Sequence, residues 1–348
     1  MKITTIGLDL AKHVFQVHAV DEAGKPVIRR QLRRSEVLPF FEKLPPCLIG
    51  MEACGSAHHW GRKLSEFGHD VRLIPARYVK PYIKRGKSDA IDAAAICEAV
   101  TRPSMRFVPI KSAEQQSSLM LHRTRDLLVR QQTAQINALR AHLAEFGLIA
   151  AKGISKLPDL VALVEDQSNP SLPDLARRCA RTILVQIENL RRNLAEIDQE
   201  IQAGHKANEA SRRLAEIPGI GPITASAIVA TIADPSVFRS GRDFAAWVGL
   251  VPRLSGTGGK VHLGHISKQG DQYLRRLLYL GAVSLIYAAR NKITPLAGWI
   301  NRLLAAKPAR VVAIAVANKL ARIAWTLIHS NEKFIAAKAC APAAGTPA

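Results

Sequence analysis

Acidic residues are scarce in this chain of 348 residues: 28 Asp and Glu stand against 49 Lys and Arg, giving a net charge of +21. So basic a protein points to a polyanionic partner, nucleic acid before any other. Cysteine is also sparse, with five residues, an odd number, widely spaced and without a CxxC pair. That excludes a disulfide framework or a zinc ribbon and fits a reducing cytosol. Long hydrophobic runs are missing as well. The most apolar stretch, 277–289, is too short to cross a bilayer, and the N-terminus reaches Asp9 before a signal-peptide core could form. A cytoplasmic protein with no membrane partner is therefore expected. Aromatic residues make up only 5%, so Trp247, Trp299, Trp325, Tyr273, Tyr279 and Tyr287 are expected in a core rather than stacked on bases. Neither Gly (22) nor Pro (19) is enriched enough for a fibrous chain.

What is present is an ordinary globular composition, 48% apolar and 22% charged, with length for roughly two domains. The positive charge is uneven. Residues 239–348 carry a net +13, with only Asp243, Asp271 and Glu332 acidic, and an acid-free basic run extends from Arg72 through Arg77, Lys80, Lys84 and Arg85 to Lys87.

Segments 3–9, 13–20 and 27–32 read as β-rich runs, the last two joined by a turn-forming DEAGKP, so an antiparallel meander is predicted. Helical 35–44, a buried strand at 47–51, an amphipathic helix at 56–67 and a strand at 71–74 follow, the alternation of a mixed sheet with helices packed on it. Ser88 is placed to cap a helix from Asp89 to about Val100. Apolar residues at helical spacing predict long helices at 114–146 and 172–201, separated by a polar linker containing Pro158, Pro170 and Pro173. Paired, they would form a helical hairpin or coiled coil and favour a homo-oligomer. The expected division is 1–110, 111–205, a mainly helical 206–330, and a disordered tail at 331–348.

Four acids stand out. Asp9 ends the first strand in GLDLAKHVF and Glu52 ends a later one in LIGMEACG, each a carboxylate among apolar neighbours that needs a partner or a cation. Asp89 and Asp92, in KSDAIDAAAI, lie three apart on one helical face. Strand ends at a sheet's centre, with a helix packed over them, can aim all four at one point. Converging carboxylates of this hard-oxygen type suit Mg²⁺ or Mn²⁺, and two such ions clamp the attacking and leaving oxygens of a phosphodiester displacement.

In the C-terminal half, IPGIGPITASAIVA reads as helix, tight turn, helix, a helix-hairpin-helix-like element in which Gly219 and Gly221 let a phosphate approach the backbone. A glycine-rich loop follows, with Ser255, Gly256, Thr257, Gly258, Gly259 and Lys260, but without P-loop spacing. Lys260, Lys268, Arg275 and Arg276 are candidate phosphate contacts, as are Arg77, Lys80, Lys84, Arg85 and Lys87. His262 and His265 form no zinc set and read as loop or packing residues.

GLDLAKHVF, MEACG and KSDAIDAAAI resemble the N-terminal Asp-Glu-Asp-Asp domain of the DEDD insertion-sequence transposases, and the likeness continues over nearly the whole chain outside the tail. The resemblance implies a RuvC/RNase H-like fold, Asp9, Glu52, Asp89 and Asp92 as metal-binding acids, and a C-terminal serine nucleophile in a GL-x-P…SG segment. Counted ungapped from Pro252, that serine falls on Thr257, whereas the only Ser-Gly pair of the segment is Ser255-Gly256; Ser255 is the first choice and Thr257 its rival. Relatives use a structured guide RNA, so DNA and RNA are both implied partners. The competing readings are a Holliday-junction resolvase-like nuclease using the four acids alone, and a non-catalytic nucleic-acid-binding protein.

Overall fold

The computed structural model describes residues 2–336 apart from Arg85, Lys87, Ala233 and Asn291, so two of the basic candidates and the tail beyond 336 lie outside the described residues. The chain divides into two compact units, Met1–Gln116 and Ser117–Ala348.

The first unit opens with β1 (Thr5–Asp9), β2 (Val14–Val20) and β3 (Pro26–Arg33), then α1 (Val37–Glu42), β4 (Leu48–Glu52), α2 (Ala57–Glu66), β5 (Asp70–Ile74), α3 (Ala76–Val79) and α4 (Asp89–Val100). The five strands form one mixed sheet in the order β3-β2-β1-β4-β5, with β1, β4 and β5 parallel and the β1-β2-β3 meander antiparallel. Strand alternation sorts the residues by face. Ile6, Leu8, Phe15, Val17, Ile49 and Met51 point one way and meet Val37, Phe41, Trp60 and Leu64 from α1 and α2 in a common core.

The opposite face is shaped for α4. Gly7 and Gly50 are register partners on β1 and β4. A Cβ on Gly7 would lie 2.0 Å from Ala93 O, and one on Gly50 would lie 2.7 Å from Val100 Cβ. The helix thus rests directly on the backbone of both strands. Ser88 caps it, its hydroxyl accepting from the Ile91 N–H, so the first turn with Asp89 and Asp92 starts at a defined point.

The second unit is mainly helical. α5 (Ala113–Ala144) leads out of the first unit, followed by α6 (Leu157–Glu165), α7 (Asp174–Ala207), α8 (Glu209–Ala215), α9 (Pro222–Thr231) and α10 (Gly241–Val248). A two-stranded sheet of β6 (Pro252–Thr257) and β7 (Lys260–Ile266) precedes α11 (Gln272–Ala289), α12 (Pro295–Ala306) and α13 (Ala309–Ser330).

Three expectations need correction here. The polar linker between the long helices contains α6: Pro158 occupies its first turn, where the missing N–H breaks no hydrogen bond. Leu157, Leu160 and Val164 of α6 pack with Ile136, Leu139 and Leu143 of α5 and Ala180 and Ile187 of α7. Buried Arg177 closes the return by donating to the Val164, Asp166, Asn169 and Leu172 carbonyls at 2.6–3.3 Å. Second, the glycine-rich loop is a β-hairpin, with Gly258 and Gly259 at positive φ making the two-residue turn between β6 and β7. Third, a long apolar helix is present after all, α13. It has the length and composition of a membrane span, yet Val312, Val316, Leu320, Ala324 and Leu327 lie in the core of the second unit.

Candidate active site and basic surfaces

Asp9 and Glu52 sit one residue beyond the last β1–β4 register pair, Leu8 and Met51, and by alternation they share the face of Gly7 and Gly50. That is the face covered by α4. Because α4 touches β4 at Val100, β1 at Ala93 and Cys97, and begins at Asp89, its N-terminal turn lies toward the strand ends that carry the two acids. Electrostatics agrees. Burial first, then the charges of Asp92, Asp89 and Glu52, push the Asp9 carboxyl up from its ordinary range to about 6. Glu52 is pushed up by burial and Asp92, against the pull of Lys80. The other three acids singled out from the sequence are therefore all within electrostatic reach of Asp9.

Their chemistry fits a hard divalent cation: four oxygen-donor side chains, two of them held away from the charged state by their surroundings. Among the described residues, no three or more His, Cys, Asp or Glu side chains are drawn together closely enough to hold a metal ion. Cys54, which the sequence reading passed over, lies at the same site, its thiol raised by burial, Glu52 and Asp9.

Of the basic candidates in this unit, Lys80 acts on Glu52, and Lys84 lies near His18, which it lowers after burial and Arg29. Arg77 stacks on Tyr78, its Cζ 4.7 Å from the ring centroid, and donates to the phenolic oxygen at 2.9 Å.

In the second unit, the β6–β7 register pairs Leu254 with Leu263, Ser255 with His262, Gly256 with Val261 and Thr257 with Lys260. The hairpin is amphipathic. Ser255, Thr257, Lys260 and His262 share one face, while Leu254, Gly256, Val261 and Leu263 share the other, with every one of these residues exposed. The reading of His262 as a loop or packing residue is thereby corrected: it is an exposed strand residue directly across from Ser255. No feature of the sequence could show this before the turn was fixed at Gly258-Gly259.

The other C-terminal candidates have more internal employment. Arg275 donates from Nη1 to the Val248 and Gln269 carbonyls, both at 2.8 Å. Arg276 pairs with Asp126 and lies over the Tyr273 ring. Gly219 faces α11, where a Cβ would lie 2.7 Å from Leu285 Cδ1, so its lack of a side chain serves close packing. Gly221 is exposed at the N-cap of α9, and Lys268 is exposed at φ 54° beyond β7. Tyr287 is exposed rather than in the core.

Next to these lies a partly buried polar chain centred on buried His122. His122 Nδ1 is 3.2 Å from Tyr273 Oη and its Nε2 3.1 Å from Ser226 Oγ. Arg125 donates to Tyr273 and, at 2.5 Å, to Asp198. With Arg125 donating to the phenol oxygen, the tautomer that fits is the one in which the phenol's single O–H donates to Nδ1 and Nε2–H donates to Ser226. Burial first, then Arg125, hold His122 down at about 4, so it is neutral near pH 7. This chain ties α5, α7, α9 and α11 together.

Comparison with known proteins places these features in one family. Residues 6–147 match a DEDD transposase family model, and residues 211–295 match the model of the transposase IS116/IS110/IS902 family. A probable family 20 transposase of Pseudomonas aeruginosa is 50% identical over 329 residues, covering 94% of this chain and 97% of its own. A putative transposase of Sinorhizobium fredii is 47% identical, covering 96% and 86%. The transposase for insertion sequence element IS1328 of Yersinia enterocolitica is 41% identical, covering 95% and 98%. The chain belongs to the IS110/IS116/IS902 family of insertion-sequence transposases.

Proposed function

We propose that the protein cuts and rejoins DNA phosphodiesters with two sets of groups, the four carboxylates of the first unit and a hydroxyl on the β6–β7 hairpin. The observation that carries this reading is the raised carboxyl of Asp9 at the end of β1, to which Glu52 at the end of β4 and Asp89 and Asp92 in the first turn of α4 all contribute. Asp9, Glu52, Asp89 and Asp92 would hold Mg²⁺ or Mn²⁺, which supplies charge neutralisation at the phosphate and at the leaving oxygen. The hydroxyl oxygen attacks phosphorus and loses its proton to a base. The bond from phosphorus to the leaving strand breaks, and the departing oxygen takes up a proton. The product is a protein phosphodiester and a free strand end, and attack by a second strand's hydroxyl reverses the step and releases the protein.

Ser255 remains first choice for that hydroxyl, and its register partner His262 supports the choice because an imidazole there can accept the proton. Thr257, opposite Lys260, is the rival. Lys80, Lys84, Lys260 and Lys268 would hold nucleic-acid phosphates, and the exposed Gly221 turn before α9 would approach the backbone as a helix-hairpin-helix element does. The positive charge suits a guide RNA as well as DNA, and the long helices α5 and α7 would support self-association. The test is cleavage of an end-labelled element junction with and without Mg²⁺ and element-derived RNA. Cleavage that survives Asp9→Asn and Glu52→Gln, or needs no divalent ion, overturns the proposal.

A further inference from the structure

At the end of the sheet where β1 and β4 carry Asp9 and Glu52, there is a second feature that the four acids do not use. His13, Val14, Arg33, Arg34, Ser35 and Trp60 line an open concavity of about 690 Å³, and no carboxylate lines it. The nearest acid in sequence, Glu36, is engaged with the backbone, accepting the Arg33 N–H at 2.6 Å.

Arg34 is the fixed element of the concavity. Its guanidinium lies over two buried rings, with Cζ 5.1 Å from the Trp60 centroid and 5.8 Å from that of Phe15. Those rings pack edge to face at 5.0 Å. The Arg34 backbone N–H donates to the His13 carbonyl at 2.9 Å, which ties the residue to the segment leaving β1. A packed lid over aromatic rings would by itself be a structural role. It does not account for Arg33, His13 and the Ser35 hydroxyl around the same opening. The stacked guanidinium is already immobilised; its Nη1 donates to the Lys12 carbonyl at 3.5 Å, and its remaining in-plane N–H groups match the oxygens of a phosphodiester.

The position is as informative as the chemistry. His13 follows Asp9 by four residues, so their Cα atoms are at most about 14 Å apart. Trp60 belongs to α2, the first helix after Glu52. At ~3.4 Å of rise per nucleotide along one strand, 14 Å is about four steps.

We propose that the concavity formed by His13, Arg33, Arg34, Ser35 and Trp60 is a phosphate-backbone subsite. It holds a nucleic-acid strand within about four nucleotides of the bond processed at Asp9 and Glu52. The placement of that bond rests on the function proposed above; the binding does not.

The test uses the full chain in EDTA, so that binding is read without turnover, with labelled duplex DNA, single-stranded DNA and RNA of one sequence. Arg34→Ala, and independently Arg33→Gln with Ser35→Ala, should each weaken binding three- to tenfold. The slope of log affinity against log salt should fall by about one for each cation lost. Arg34→Lys should recover only part of the affinity, because the fork is gone. The Arg33/Ser35 variant leaves the Phe15–Trp60 pair untouched, so the test stands if Arg34→Ala folds poorly. A scan of single neutral methylphosphonates should find one position whose substitution weakens wild type and leaves Arg34→Ala unchanged. An effect confined to RNA or to DNA identifies which strand the subsite holds. Unchanged affinity and salt slope for all three polymers in both variants would overturn the subsite. If Asp9→Asn keeps the Arg34 effect while its cleavage matches wild type, the proposed chemistry fails and the subsite survives.

Discussion

Gly7 of β1 and Gly50 of β4 lie side by side in the parallel register, and α4 rests on both. This contact sets the height of the helix above the sheet and therefore where Asp89 and Asp92 stand relative to Asp9 and Glu52. An alanine at Gly7 would have to displace the backbone carbonyl of Ala93. Overpacking of this kind costs about 1–3 kcal/mol. Gly7→Ala is expected to lower stability by that amount, and to reduce metal-dependent cleavage far more than the loss of folded protein explains, because the helix acids move with α4. Gly50→Ala, which meets the Val100 side chain rather than backbone, should be milder in both respects. Thermal melts and cleavage rates at matched folded fraction check this; equal activity per folded molecule in Gly7→Ala would show that the helix height does not matter.

Asp9 yields a prediction about pH. Its folded carboxyl titrates at about 6, above its ordinary value of 3.8, so the folded state binds the proton more tightly than the unfolded chain does. The carboxylate therefore costs stability progressively as pH rises from about 4 through 6, and the full cost is present above 6. The shift corresponds to about 1–3 kcal/mol, discounted for partial exposure. In EDTA at pH 8, Asp9→Asn should be more stable than wild type by that order, and the gap should close by pH 4. Mg²⁺ should raise the melting temperature of wild type more than that of the variant. A variant no more stable than wild type at pH 8 would mean that the surrounding acids do not burden Asp9.

Much of this site was legible in the sequence because each acid carries its own local signal. A strand that ends in a carboxylate is readable from five residues, and Ser88 three before Ile91 marks the start of α4. The meander and the strand–helix alternation were readable for the same reason. The face shared by Gly7 and Gly50 was not, since pairing of two glycines 43 positions apart depends on register between strands that no local pattern specifies. α6 was missed because Pro158, counted with Pro170 and Pro173 as part of a polar linker, sits at a helix start. The hairpin was missed because Gly258-Gly259 reads equally as a flexible loop, and with it went the pairing of Ser255 with His262. The Arg34 concavity joins residues from β2, β3 and α2 that are remote in sequence.

His122 should make the second unit acid-sensitive in a defined window. Its folded value of about 4 lies below the ordinary 6.5, so the unfolded state binds the proton more tightly. The groups facing it are Tyr273, Ser226 and Arg125, with Asp271 acting weakly in the opposite sense. Stability tied to neutral His122 is complete above pH 6.5 and is lost as pH falls toward 4, to a total of about 3 kcal/mol. His122→Asn should be less stable than wild type at pH 7 and should lose less between pH 6.5 and 4. Parallel urea titrations at the two pH values measure it; identical losses in the two proteins would place the acid sensitivity elsewhere.

The hairpin separates two roles by face, which allows the proposed nucleophile to be tested without disturbing the fold. β6 and β7 are exposed along almost their whole length, so substitutions there remove little packing. Ser255→Ala should abolish a trapped protein–DNA adduct and leave DNA affinity nearly unchanged, because one hydroxyl contributes little beside many lysine and arginine contacts. His262→Gln keeps a polar side chain opposite Ser255 but cannot gain a proton. If the imidazole takes the serine proton, this change should slow adduct formation by about 10²–10⁴-fold. Leu263→Ser alters only the opposite face and should leave adduct chemistry intact. An adduct lost in Thr257→Ala but retained in Ser255→Ala moves the role to Thr257, with Lys260 then the side chain opposite. An adduct that persists through both hydroxyl changes removes the hairpin from the chemistry, since no other hydroxyl lies on its polar face.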